Sequence, residues 1–159
     1  GANVRYYTDL QVPTLEEFLQ ICKEYGMTPV IELKILLEDA NYDTLISLLR
    51  QTGMEDEALV ISFDYVKLQK LREKSPVHTM LLSKNPSKDT VDLVLTLENC
   101  DLGIDYRYCS RSLVRYAQEK GVLLNAYTVD DEMIFRDMTR WGIHFITTDL
   151  LKPAPNEKS

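Results

Sequence analysis

At 159 residues, with 45% hydrophobic and 27% charged side chains, the chain has the size and composition of one folded domain. Its net charge of −7 excludes a general electrostatic attraction to nucleic-acid phosphates, while leaving room for a local cationic pocket. Three cysteines (Cys22, Cys100 and Cys109) without CxxC spacing argue against a disulfide framework or a structural zinc site, and no membrane span or signal peptide is visible. The setting these features suggest is cytoplasmic.

The first predicted helix begins after Val12-Pro13-Thr14. Thr14 is the N-cap, Glu17 completes a capping box, and Gly26 ends the helix. Leu15, Phe18, Leu19 and Ile21-Cys22 form its apolar face, so Cys22 reads as a core thiol. A strand follows from Pro29 to Lys34. Asn41 opens the next helix, with Leu45, Leu48 and Leu49 facing inward and Gly53 at its end. Ala58 to Phe63 is a strand, Tyr65 to Glu73 a helix, and Thr79 to Ser83 a strand. A weaker helix covers Thr90 to Leu97, followed by an extended segment from Leu102 to Tyr106. Ser110 caps a helix that ends at Gly121. Val122 to Val129 is a strand, and Asp130 or Asp131 starts a helix that ends at Gly142. Phe145 to Thr148 is the last strand.

Six strand–helix steps predict a parallel sheet covered by helices. Two architectures do this: a doubly wound sheet and a (β/α)8 barrel. The glycine-rich first turn of a dinucleotide-binding sheet is absent, and the glycines are expected at helix ends. A barrel needs eight strands and about 250 residues, so this chain would fall short of one by about two units. Periodicity alone leaves the choice open.

Three stretches carry a family resemblance. Val12-Pro13-Thr14-Leu15-Glu16-Glu17-Phe18-Leu19, leading to Ile31-Glu32-Leu33-Lys34, resembles the "P-T-L-E-E-x-L" helix start and "I-E-x-K" strand of the glycerophosphodiester phosphodiesterases. Ile61-Ser62-Phe63-Asp64, with Leu68, Leu71 and Pro76, resembles that family's "S-F-D" strand end and following helix. Ala126-Tyr127-Thr128-Val129-Asp130-Asp131, then Gly142-Ile143 and Ile146-Thr147-Thr148-Asp149, resembles its "W-T-V-N" strand and terminal "I-T-D". The resemblance spans nearly the whole chain in the family's order. It implies an α/β fold of (β/α)8 TIM-barrel type, present as a partial barrel of strands three to eight. Residues 1–159 are then one such domain, with 1–11 an N-terminal loop and 153–159 a polar tail.

The activity implied is metal-dependent hydrolysis of a small phosphodiester to glycerol phosphate and an alcohol. Its metal is divalent, Mg or Ca. Glu32 ends an apolar strand at the face where barrel active sites are built, and a charge there is costly unless paired or bound to metal. In the matching motif this Glu is a metal ligand. An ion pair with Lys34, two residues on and on the same strand face, is the structural alternative. Lys34 matches the family's lysine beside the phosphate, and is the catalytic and substrate-binding candidate here. Tyr127, where the family has Trp, and Phe63 are candidate walls for the glycerol or alcohol moiety; barrel packing is the alternative for both. Arg107 reads as an exposed strand-end arginine within reach of an anionic ligand.

The family's two histidines and its other metal carboxylates belong to motifs that do not occur here. His78 and His144 lie at strand starts, the non-catalytic end, and read as surface or packing residues. The chain alone is therefore expected to be inactive, and a non-catalytic interaction fragment is the rival reading. A partial barrel also has two open sheet edges. A second copy, a missing N-terminal segment, or residues 1 to 11 would be needed to cover them.

Overall fold

The protein is described by a computed structural model over residues 11–35 and 38–151. The polar tail and all but the last residue of the N-terminal loop lie outside these. Helix α1 (Leu15–Glu24) opens with both halves of its capping box made, Thr14 Oγ1 accepting from the Glu17 amide at 3.2 Å and Glu17 accepting from the Thr14 amide at 2.7 Å. There follow β1 (Val30–Glu32), α2 (Asp39–Thr52), β2 (Leu59–Ser62), α3 (Tyr65–Arg72) and β3 (His78–Ser83). Then come α4 (Lys88–Val94), β4 (Cys100–Asp105), a single 3₁₀ turn (Tyr106–Tyr108), α5 (Arg111–Glu119), β5 (Leu124–Tyr127), α6 (Glu132–Trp141) and β6 (Phe145–Ile146).

All five strand pairings are parallel, and the order across the sheet is β1-β2-β3-β4-β5-β6. This order decides the architecture. A doubly wound sheet reverses direction at a switch point; here each strand adds beside its predecessor, and the sheet curls into a half-barrel. Every strand therefore points its C-terminal end at the same mouth.

Most element boundaries follow the sequence pattern, with informative departures. Helix α2 starts at Asp39, two residues before the expected Asn41. Glu38 is the N-cap, and Asn41 instead completes the capping box, its Oδ1 accepting from the Glu38 amide at 2.9 Å. Asp131, not Asp130, caps α6. Asp130 accepts from Thr148 Oγ1 at 3.0 Å and the Asp149 amide at 2.8 Å, tying the loop after β5 to the loop after β6. Strand β4 begins at Cys100, before the expected Leu102.

Gly103 departs from the helix-end rule. It sits inside β4, where a Cβ would lie 2.5 Å from Leu82 Cδ2 and 3.1 Å from Met80 Sδ. Neighbouring β3 side chains fill the space that a larger residue would need.

The core divides in two. Leu19, Cys22, Tyr42, Leu45, Leu49 and Val60 pack the β1–β2 side. Leu81, Val91, Leu102, Ile104, Leu113 and Leu124 pack the β3–β6 side. Helix α3 joins them, because Leu71 belongs to the first cluster and Leu68 to the second. Each such buried leucine, isoleucine or valine contributes about 1.5–3 kcal/mol. At the foot of the sheet, Arg72 donates to the carbonyls of Ser75 (3.1 Å), Val77 (2.6 Å) and Asn99 (3.1 Å) and to Thr79 Oγ1 (3.3 Å). It pins the loops that enter β3 and β4.

Candidate active site

The mouth of the half-barrel gathers the polar residues that end its strands. Glu32 closes β1, and its Oε2 lies 3.4 Å from Lys34 Nζ. Their side chains are 29% and 73% exposed, so this pair is open to solvent and to a ligand. Such a pair contributes only about 0–1 kcal/mol to stability. The backbone beneath it is fixed more firmly. The Ser62 hydroxyl donates to the Leu33 carbonyl at 2.9 Å, and the largely buried Lys67 donates to the Lys34 carbonyl at 3.1 Å. Ser62 Oγ also accepts from the Asp64 amide at 3.1 Å. This hydroxyl joins two strand ends and has no base beside it among the described residues.

Tyr127 ends β5 and crosses the mouth. Its hydroxyl donates to the Ser83 carbonyl at the end of β3, at 2.9 Å. Its ring meets Phe63, just past β2, edge-to-face with centroids 6.2 Å apart. Burial, with the Asp105 and Glu32 carboxylates adding to it, pushes the Tyr127 hydroxyl up to about 12. The phenol stays neutral at physiological pH and keeps its donor on Ser83. The fields of two carboxylates, from β1 and β4, reach this one hydroxyl.

Asp105 ends β4 with only 5% of its surface exposed. Arg107 donates to it from Nε at 2.9 Å, and its amide donates at 3.0 Å. Nη2 closes the fork on the other carboxylate oxygen. These bonds from Arg107 hold the Asp105 carboxyl below the usual carboxylate range against the opposing effect of burial. Lys84, the residue after β3, sets its Nζ 5.5 Å from the Phe63 ring centroid. Lys84, Asp105, Tyr106, Arg107, Tyr127 and Thr128 line a cavity of about 420 Å³.

The model of the glycerophosphoryl diester phosphodiesterase family matches residues 1–152. The chain belongs to this family. Among solved structures it resembles a protein of that family name from Silicibacter pomeroyi DSS-3, with a TM-score of 0.80 and 24% identity, over 92% of this chain and 56% of that one. It also resembles an Oleispira antarctica phosphodiesterase in complex with sn-glycerol-3-phosphate (TM-score 0.79, 23% identity, 86% of this chain and 57% of that one). A glycerophosphodiester phosphodiesterase from Parabacteroides distasonis ATCC 8503 is similar at a TM-score of 0.72 and 23% identity, over 86% and 60%. The chain thus spans under two thirds of the length of these structures, and at these identities the likeness speaks for the fold. No curated protein matches it.

Within this phosphodiesterase family fold, Glu32, Lys34, Phe63 and Tyr127 all stand at the mouth. His78 does not. It begins β3 at the opposite end, where its Nε2 lies 2.8 Å from Asp101 Oδ2. Asp101 also accepts from the Leu123 amide at 3.1 Å, so the pair joins β3, β4 and the approach to β5. His144 precedes β6, again at the far end. Burial pushes the Cys109 thiol up to about 11 and raises that of Cys100, which disfavours the thiolate at both.

A divalent cation takes about six or more oxygen ligands. Among the described residues no group of three histidine, cysteine or carboxylate side chains could hold one. Glu32 is a suitable hard oxygen donor, but the described residues do not make a metal site by themselves. No helix among them is long and apolar enough to cross a membrane.

Lys84 and Asp105 were not singled out from the sequence. Asp105 carried a usable signal, a carboxylate closing the apolar run Leu102-Gly103-Ile104. The Asp105–Arg107 pair also makes a prediction. The Asp105 carboxyl titrates lower folded than unfolded, so its stabilising effect is full above the unfolded value of about 4 and fades as pH falls through the folded one. Arg107→Met should therefore lower stability at neutral pH, with the deficit vanishing in acid. Urea unfolding followed from pH 7 to pH 2 measures this. A deficit constant with pH would refute it.

Proposed function

We propose that this chain carries the C-terminal six strands of a metal-dependent glycerophosphodiester phosphodiesterase, which hydrolyses glycerophosphodiesters to glycerol phosphate and an alcohol. The observation that supports this best is the solvent-open Glu32–Lys34 pair at the end of β1, within a family match over nearly the whole chain. Lys34 offsets the charge of the phosphodiester and the charge that builds as a water oxygen attacks phosphorus and the ester P–O bond breaks. Its exposed ammonium is free to follow the phosphate. Phe63 and Tyr127 form an apolar wall against the organic part of the substrate, and the Oleispira relative's product, sn-glycerol-3-phosphate, is of the class expected. Glu32 is one ligand of a Mg or Ca ion whose other ligands lie outside the described residues. We place the protein in the cytoplasm on the strength of its unpaired thiols.

The rival reading is a non-catalytic interaction fragment, its open sheet edges covered by a second copy or by a further segment. The pairing of Glu32 with Lys34, which answers its charge without a metal, favours it. One experiment separates the two. Release of glycerol phosphate from glycerophosphoglycerol is measured with Mg or Ca, for residues 1–159 alone and for a chain preceded by two βα units carrying the family's histidines and carboxylates. The catalytic reading expects no turnover by the first and metal-dependent turnover by the second. An inactive full barrel would leave the fragment reading.

A further inference from the structure

Lys84 is a cation that the proposed chemistry does not use. Among the described residues it makes no ion pair, its charge reaching Asp105 only at longer range, and its ammonium is held over the Phe63 face. The other charges lining its cavity cancel. Asp105 is occupied by Arg107, which donates through Nε and Nη2 and through its backbone amide, leaving Nη1 unengaged among the described residues. The cavity of about 420 Å³ therefore carries one net positive charge, with two cationic donors that make no hydrogen bond among the described residues, Lys84 Nζ and Arg107 Nη1. Its volume lies within the range of about 300–1,000 Å³ typical of small-ligand sites. It is also continuous with the mouth. Tyr127 lines the cavity on one side, packs on Phe63, and feels the Glu32 carboxylate.

We infer that Lys84 and the Arg107–Asp105 pair form an anion-selecting subsite for the alcohol half of the substrate, past the Phe63–Tyr127 wall. This rests on the reading of Glu32 and Lys34 as the phosphodiester end. The favoured substrates are glycerophosphodiesters whose alcohol carries a second anionic group, such as a further phosphodiester. Alcohols bearing a quaternary ammonium meet a like charge and are disfavoured. Asp105 does not attract them, because its charge is already answered by the Arg107 fork.

The test is binding, which needs no turnover. Calorimetric titration of the 159-residue chain compares bis(glycerophospho)glycerol, whose alcohol bears a second phosphodiester, with glycerophosphocholine. The first should bind about tenfold tighter. Lys84→Met should bring that ratio close to one. Lys120→Met, which removes a lysine at the end of α5, should leave the ratio at about ten. Lys34→Met should weaken both esters in parallel. Equal affinity for the two esters in the wild type, or a ratio untouched by Lys84→Met, overturns the subsite. Binding of neither ester overturns the subsite, while the phosphodiester reading of the mouth stands or falls separately on turnover by the completed barrel.

Discussion

Glu32→Gln should abolish metal-dependent turnover in the complete barrel, by about 100-fold or more, while leaving the fold almost as stable as before. The substitution keeps the shape of the side chain and removes only its charge. Among the described residues that charge has one ion-pair partner, Lys34 at 3.4 Å in a solvent-open pair, so about 1 kcal/mol at most is at stake for stability. A metal would feel the change far more, since an amide oxygen is a weaker ligand than a carboxylate for a hard cation. Two measurements on one variant separate the roles. Thermal unfolding should shift little, and the metal concentration for half-maximal activity should rise steeply. Unchanged turnover would assign Glu32 to a plain ion pair.

Arg72→Met should be the more damaging change to the fold, costing about 3 kcal/mol. The guanidinium is the donor for three backbone carbonyls, of Ser75, Val77 and Asn99, and for Thr79 Oγ1. A buried acceptor left without a donor costs about 1–3 kcal/mol, and water can reach some of these. In a domain of this size each kcal/mol lowers Tm by about 2–4 °C, so a fall of about 6–12 °C is expected by calorimetry. Arg72→Lys should recover only part of it, because one ammonium cannot reach loops that a planar fork spans. A shift within about 2 °C would mean that other donors replace Arg72.

Much of this fold is legible in the sequence because its signals are local. Thr14 and Glu17 lie three residues apart, and their capping box needs no knowledge of the rest of the chain. Gly53 and Gly142 adopt the left-handed C-cap for which glycine is suited. The strand order is different in kind. Alternating strands and helices fit an open or a curled sheet equally, and the family resemblance tipped the choice that the pairing now makes directly. Gly103 is legible as part of an extended segment, but nothing local announces that Leu82 and Met80 on the next strand fill its side-chain space. The same limit hid Arg72, whose acceptors lie on separate loops, and the role of Asp130, whose partners are eighteen and nineteen residues away. At the mouth, the rule that drew attention to Glu32 applied equally to Asp105. It was missed because the segment was read as running on through Tyr106, which put the carboxylate inside a strand and not at its end.

The unreversed strand order also bears on how the chain folds. Each strand pairs with the next one in sequence, as Val30 does with Leu59 and Asn125 with Phe145, so every sheet contact closes a loop of one strand–helix unit. Loop-closure entropy is then met in small instalments, and the contact order stays low for a parallel sheet. Such a chain can grow its sheet unit by unit from either core cluster, with α3 as the seam where the two growing halves meet.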